Sequence, residues 1–294
     1  MCMPRYYGIE YEINPWMHRA NAVEPERALA QWTGLHQELT RLGLEIELVS
    51  QEPGLPDMTF TANAGIAQGQ TFIPSNFRYS ERQAEAALFS EWFESHGYRV
   101  VGIHEPHFWE GEGDVLTAGE RVFAGFRFRT EFAALDHLDD LLGAKPVRLE
   151  LVDPRFYHLD TCFCPLSERR ALFYPPAFSP EAQSQLAEHF DELIAVAEHD
   201  ALRFACNAFP AGDTIVLNSG CSTTVSALTA LGYVCIETPM DEFIKAGGSV
   251  KCLILTLDAF RERSSSAGTD PAAQATAPTM SSAPVEKGGR EARQ

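Results

Sequence analysis

The 294-residue chain is 45% hydrophobic, enough to bury a sizeable core, which excludes a disordered protein and a small disulfide-stapled scaffold. Its 23 Lys and Arg stand against 41 Asp and Glu, and the formal charge of −18 excludes unassisted nucleic-acid binding and suits a cationic small molecule. No apolar stretch approaches the ~20 residues that cross a bilayer, and Met1 to Arg5 leads into Tyr-Tyr-Gly-Ile-Glu-Tyr rather than an apolar signal core. A soluble, cytoplasmic protein with no membrane partner is the expectation. The seven cysteines, at positions 2, 162, 164, 206, 221, 235 and 252, are odd in number and fit reduced thiols rather than a disulfide framework.

In chain order, a first strand should end at Asn14-Pro15-Trp16-Met17, where Asn commonly makes a turn. A helix starting near Glu24 leaves at Gly43, ahead of the β-branched run EIELVS. Four hairpins are expected in MTFTANAGIAQGQTFIP, GDVLTAGERVFAGF, TCFCPLSERRALFYP and CNAFPAGDTIVLNSG. Each is followed by a helix, starting near Ser80, Thr130, Ser179 and Ser222 in turn. Three of these helices leave at Gly97, Gly143 and Gly232, where Gly supplies the left-handed conformation that stops a helix; the remaining exit falls near His189-Phe190. A short strand follows each exit: RVVGI, PVRLELV, ELIAVAE and VCIET. Five copies of a unit of about 50 residues are implied, and units with one buried sheet face must share a core. From residue 263 the composition turns to Ser, Ala, Pro, Thr and Gly, so the chain divides into a folded domain, 1–262, and a disordered tail, 263–294. The tail holds four basic and three acidic residues, so the acidity belongs to the domain.

Chemistry gathers in four places. Lys245-Ala-Gly-Gly-Ser-Val-Lys251-Cys252 sets a thiol at an expected strand start, beside a lysine that favours the thiolate. In Pro154-Arg-Phe-Tyr-His158-Leu-Asp160-Thr-Cys162-Phe-Cys164, strand alternation puts His158, Asp160, Cys162 and Cys164 on one face; a His held by a carboxylate suits acid and base work. The two cysteines lack a second pair for a tetrahedral metal site and read as core, so no metal is expected. Trp109-Glu110-Gly111-Glu112-Gly113-Asp114 crowds three carboxylates that need a cation or many donors, such as a guanidinium or a metal. Leu55-Pro-Asp57-Met-Thr-Phe-Thr-Ala-Asn63-Ala-Gly65 reads as a strand with Asp57, Thr59, Thr61 and Asn63 on a polar face, the wall of a polar pocket.

Taken in order, DMTFTAN, EGEGD, His-Leu-Asp-Thr and the late Gly-Gly-x-x-x-Cys resemble the guanidino-group-modifying enzymes: arginine deiminases, dimethylarginine dimethylaminohydrolases, amidinotransferases and arginine dihydrolases. The resemblance spans residues 5 to 257 and implies an α/β fold, the five-bladed pseudo-symmetric α/β propeller known as the pentein. It implies Cys252 as nucleophile, His158 as general acid and base, and Glu110 as its acidic partner, with Glu112 as the alternative because the loop is one residue longer than in deiminases. Asp160 would grip the guanidinium. Asn14, Asn63 and Arg82 match pocket residues of the arginine dihydrolase branch, and Arg129, in Gly-Phe-Arg-Phe-Arg-Thr, matches an arginine that binds the substrate carboxylate. The implied activity is hydrolysis of arginine or a close analogue through a covalent thiouronium, to citrulline and ammonia and onward to ornithine, carbon dioxide and a second ammonia. Asn63, standing where deiminases carry Asp, suits retention of neutral citrulline. Dimethylarginine hydrolysis, amidino transfer and a catalytically silent cationic amino-acid binder are the alternatives. No cofactor is implied, the partner is a small guanidino molecule, and a homo-oligomer is compatible.

Overall fold

The computed structural model describes residues 1–103 and 106–257. The tail expected at 263–294, and the boundary drawn before it, lie outside the described residues.

Twelve strands form four three-stranded sheets of one design. The first sheet holds β1 (Gly65–Gln68), β2 (Thr71–Pro74) and β3 (Arg99–Val100); the second holds β4 (Val115–Ala118), β5 (Arg121–Phe126) and β6 (Val147–Glu150). The third holds β7 (Phe163–Pro165), β8 (Arg170–Phe173) and β9 (Glu192–Ala195); the fourth holds β10 (Phe209–Ala211), β11 (Thr214–Asn218) and β12 (Val234–Thr238). In each, two strands make an antiparallel hairpin and the third joins the second in parallel after a helix, as in Ala124 facing Val115 on one side and Arg148 on the other. A parallel neighbour requires such a crossover, which is why hairpin and helix alternate along the chain.

The intervening helices are Glu85–Ser95, Ala134–Leu142, Pro180–His189 and Ser222–Ala230, and Pro25–Arg41 precedes them. Ser179 caps its helix by accepting from the Ala182 amide. Four helices give way at Gly43, Gly97, Gly143 and Gly232, all at positive φ, whereas the Pro180–His189 helix runs directly into extended Phe190. One helix starts later than Thr130, at Ala134, because the Thr130 hydroxyl is taken by Asp114. Leu135, Leu138 and Leu142 line the inner face of that helix and pack on Val115, Val122 and Ala124 of the sheet beneath.

Several strand expectations are corrected. Residues 57–63 form no strand; they make two 3-10 turns, Pro56–Thr59 and Thr61–Ala64, closed by Phe60 N to Asp57 O and Asn63 N to Phe60 O. Met58, Phe60 and Ala62 are buried together with Asp57, Thr59, Thr61 and Asn63, so no face is left to solvent and an alternating pattern has no meaning there. His158 and Asp160 likewise sit on a 3-10 turn, Leu159–Thr161, and the strand begins only at Phe163. Cys252 lies in a 3-10 turn, Lys251–Leu253, rather than at a strand start. The first strand expected before Asn14 and the EIELVS strand reduce to one parallel bridge between Cys2 and Val49. The described residues therefore hold four sheets, and the N-terminal segment adds a helix and that bridge.

Neighbouring sheets meet through aromatic side chains. Phe123 of β5 stands 5.5 Å from Phe163 of β7 and 5.1 Å from Phe190, ring centre to ring centre. Phe123→Ala should cost about 3–5 kcal/mol of unfolding free energy in a urea titration, and a loss under about 1 kcal/mol would contradict this role.

Candidate active site

The short turns that precede the sheets point their side chains toward one another. On the turn before β4, the Glu110 carboxylate is fully buried and accepts from His158 Nε2 at 2.7 Å, from Arg129 Nη1 at 2.9 Å and from the Arg78 amide at 3.3 Å. Burial alone would raise its proton affinity, yet Arg129 and His158 hold it well below the usual carboxylate range. Because an ionised carboxylate only accepts, His158 carries its hydrogen on Nε2. Nδ1 is then free to accept and lies 3.5 Å from Asn63 Nδ2. The amide of Asn63 is fixed in that sense by Arg82, whose Nη1 donates to Asn63 Oδ1 at 2.9 Å.

Glu112, the alternative partner, belongs elsewhere. It pairs with Lys251 Nζ at 2.8 Å and accepts from the Thr256 amide. Lys251 also donates to Ile254 O, so its hydrogen bonds go to Glu112 and the main chain rather than to the sulfur. Asp114 accepts from Thr130 Oγ1 at 2.6 Å and the Leu159 amide at 3.1 Å. The three carboxylates of the loop are thus met by protein donors, neither metal nor ligand being needed. Gly113 is required there: a Cβ would stand 2.2 Å from Asn63 Nδ2 and 3.3 Å from the His158 ring. Gly111, at φ +52, brings its backbone against Ala62 and Gly65.

Cys252 Sγ is buried and donates to Asp160 Oδ2 at 3.2 Å. Burial, reinforced by the Asp160 charge, pushes the thiol well above its ordinary range, and burial likewise raises Asp160 to about 7. The other Asp160 oxygen, Oδ1, is buried and has no hydrogen-bond partner among the described residues. Asp57 Oδ1 is in the same condition. Thr61 ties this region to the nucleophile turn by donating to Leu253 O at 2.8 Å.

Arg82 is locked by a two-pronged pair with Glu85 at 2.8 and 2.9 Å besides its bond to Asn63. Arg129 donates also to Ile13 O and lies between the rings of Tyr79 and Tyr157, its guanidinium carbon 4.7 and 4.6 Å from their centres. Asn14 makes the anticipated turn by accepting from the Trp16 and Met17 amides, while its Nδ2 donates to Ala246 O and Tyr157 Oη. Asn14, Arg129, Tyr79 and Tyr157 line a surface cleft of about 420 Å³, and Tyr157 stacks obliquely against His158, joining cleft to buried cluster.

All eight proposed site residues therefore occupy one region, although Cys252 meets Asp160 rather than His158 directly. Two contributors were overlooked in the sequence. Tyr157 forms the wall shared by cleft and cluster, and Asn207, wholly buried, donates to Cys252 Sγ at 3.1 Å. Asn207 stands two residues before β10, as Asn63 stands two before β1, a repeat-level correspondence that points to it. Among the described residues no group of three or more His, Cys, Asp or Glu is arranged to hold a metal ion, and no helix is long and apolar enough to cross a membrane.

A buried cysteine, histidine and carboxylates set among hairpin-helix-strand units fit the guanidino-group-modifying class that the sequence motifs resemble. Within that class, a family model described as "N,N dimethylarginine dimethylhydrolase, eukaryotic" matches residues 11–258, and the chain belongs to this family. It is 41% identical to the N(G),N(G)-dimethylarginine dimethylaminohydrolase of Mycobacterium tuberculosis over 257 residues, 87% of this chain and 84% of that protein. It is 40% identical over 260 residues to the bifunctional arginine dihydrolase/ornithine cyclodeaminase AgrE of Nostoc sp., covering 87% of this chain but only 37% of that relative's length. The crystal structure of the N-terminal domain of ArgZ, a cyanobacterial arginine dihydrolase, superposes with a TM-score of 0.84 at 40% identity, covering 88% of this chain and 97% of that domain; it is a cysteine-to-serine variant bound to substrate. Another structure of that domain is covalently bound to a reaction intermediate.

The raised Asp160 makes a prediction about stability. A carboxyl whose folded value, about 7, exceeds its ordinary 3.8 costs nothing below the ordinary value, costs more as pH climbs through that window, and costs most above 7. Asp160→Asn should therefore melt higher than wild type at pH 8, with the advantage fading by pH 4; a difference indifferent to pH would refute the burial cost.

Proposed function

We propose that the protein hydrolyses the guanidino group of arginine through a covalent bond to Cys252. The observation that carries this reading is the Asp160 carboxylate: one oxygen touches the sulfur at 3.2 Å and the other is buried without a donor, in the place where a guanidinium N–H would supply one beside the nucleophile. An incoming cation would also offset the Asp160 charge that keeps the thiol protonated, so substrate binding itself favours the thiolate. Substrate-bound and covalently bound forms of ArgZ support a covalent route.

In this reading the Cys252 thiol gives up its proton, which passes to His158 Nδ1 and makes the imidazolium, as Sγ forms a bond to the guanidinium carbon in a tetrahedral adduct. The imidazolium so formed, its Nε2–H held by Glu110, gives the Nδ1 proton to one nitrogen of the adduct, the C–N bond breaks, ammonia departs, and a thiouronium is left on sulfur with His158 neutral again. His158 then takes a proton from water as its oxygen attacks the same carbon, and the C–S bond breaks to give citrulline. A second water, by the same steps, yields ornithine, carbon dioxide and a second ammonia. Glu110, ionised by its own partners, stabilises the imidazolium through both rounds. Arg82 and Arg129 act on the substrate through Asn63 and the cleft wall, since their own donors are largely engaged.

Dimethylarginine is the second reading, favoured by the M. tuberculosis relative, of which the matched region covers 84%. It differs only in releasing dimethylamine. The free state of all seven cysteines supports a reducing compartment such as the cytoplasm. We also read residues 1–64, with the Lys251–Leu253 turn, as the fifth unit of a propeller: its helix, glycine exit and Cys2–Val49 bridge follow the order of the other four.

Incubating the full chain with labelled arginine and, separately, asymmetric dimethylarginine discriminates these readings by the amines and amino acids released. Cys252→Ser should abolish turnover, a drop of at least about 10⁴-fold, while the melting temperature stays within a few degrees of wild type; near-normal rates would end the covalent scheme. Asn63→Asp replaces the amide donor facing His158 Nδ1 by a charge and should move the product ratio from ornithine toward citrulline, whereas an unaltered ratio would remove Asn63 from control of the second round.

A further inference from the structure

We propose that Asn207 is a catalytic residue that stabilises the anionic sulfur of Cys252 through a direct hydrogen bond while its carbonyl oxygen holds the nucleophile turn in place; this rests on the reading of Cys252 as nucleophile. The amide's orientation is fixed by its surroundings. Two backbone N–H groups, of Ser249 at 3.1 Å and Cys252 at 3.2 Å, point at one atom, which must be the acceptor Oδ1. The other atom is therefore Nδ2, and its two hydrogens face Asp160 O at 3.0 Å and Cys252 Sγ at 3.1 Å. The side chain is wholly buried and has no alternative partner in water.

The sulfur thus sits between opposed influences. Ionised Asp160 accepts from it through Oδ2 and favours the thiol; Asn207 Nδ2 can only donate to it and favours the thiolate. Once a guanidinium engages Asp160, the acceptor is occupied and the Asn207 donor remains in place, already oriented and with no reorganisation to make. The backbone supports this fixed position: Lys251 N donates to Asn207 O, so the same residue holds the turn by main chain and side chain.

Asn207→Asp separates the two duties. It preserves shape and offers oxygen to both backbone amides, yet it removes the donor to sulfur and brings a negative charge to it. The measurement is the pH dependence of Cys252 alkylation by iodoacetamide on the full chain, in which thiolate displaces iodide as the S–C bond forms and the C–I bond breaks, quantified on the Cys252 peptide by mass spectrometry. The alkylation midpoint should rise by about one pH unit or more, equivalent to a tenfold smaller thiolate fraction at a given pH. Turnover number should fall at least about tenfold with KM changed less than threefold. A midpoint equal to wild type in folded Asn207→Asp overturns the proposal. If that variant fails to fold by circular dichroism, Asn207→Ser, which shortens the side chain away from sulfur without adding charge, is read the same way, and an unmoved midpoint there overturns it equally. Alkylation reports the sulfur's protonation whether or not arginine is the substrate, so failure here is distinct from retention of activity by Cys252→Ser, which would refute the functional reading instead.

Discussion

Four ionisable carboxyl groups, Glu110, Glu112, Asp114 and Asp160, are withdrawn from water within a few residues of one another in space, and a buried carboxylate without donors is costly enough to unfold a domain of ordinary stability. The architecture answers that demand group by group. Arg129 and His158 serve Glu110, Lys251 and an amide serve Glu112, and a hydroxyl and an amide serve Asp114. Of these four, Asp160 is the one left with an oxygen unserved, a condition it shares with nearby Asp57. On the proposed reading, a cationic ligand would supply the donor that the Asp160 oxygen lacks.

The same accounting places the reactive groups. His158 receives its tautomer from Glu110, and Glu110 owes its charge to Arg129, which is in turn clamped by two tyrosines. Lys251 and Glu112 fasten the turn bearing Cys252 to the loop bearing Glu110. Distances at the centre are thereby set by ion pairs behind it, which explains how three segments far apart in the chain can hold a common geometry without a metal ligand linking them.

Much of this arrangement was legible in the sequence because it is written in local physics. Hairpins announce themselves by Gly69, Gly119 and Gly212 between apolar runs, and four helices stop at glycines that adopt positive φ. The strand readings around Asn63 and His158 failed for a related reason. Two-residue alternation of polar and apolar groups requires one wet face, and here both faces are buried, so the polar groups are satisfied by 3-10 turns instead of a ladder. The choice between Glu110 and Glu112 depended on which side of a four-residue turn each faces, information that spacing alone does not carry. Asn207 was hidden in a hairpin reading, CNAFPAGD, whose apolar residues drew attention to the strand rather than to the turn ahead of it. The units share one rule: Asn63, Glu110, Asp160, Asn207 and Cys252 all sit on short turns rather than on the strands that hold them, so a sheet supplies position and its preceding turn supplies chemistry.

The sandwich of Arg129 between Tyr79 and Tyr157 has a thermodynamic corollary for ligand capture. Side chains that are held by packing and hydrogen bonds lose little freedom on binding, so on the proposed reading little ordering entropy would oppose association at this wall. The balance of affinity then shifts to dehydration of the incoming cation. If guanidino compounds are the ligands, as proposed, those differing by methyl groups would then be sorted by how readily they shed water, with the shape of the wall as the second sieve.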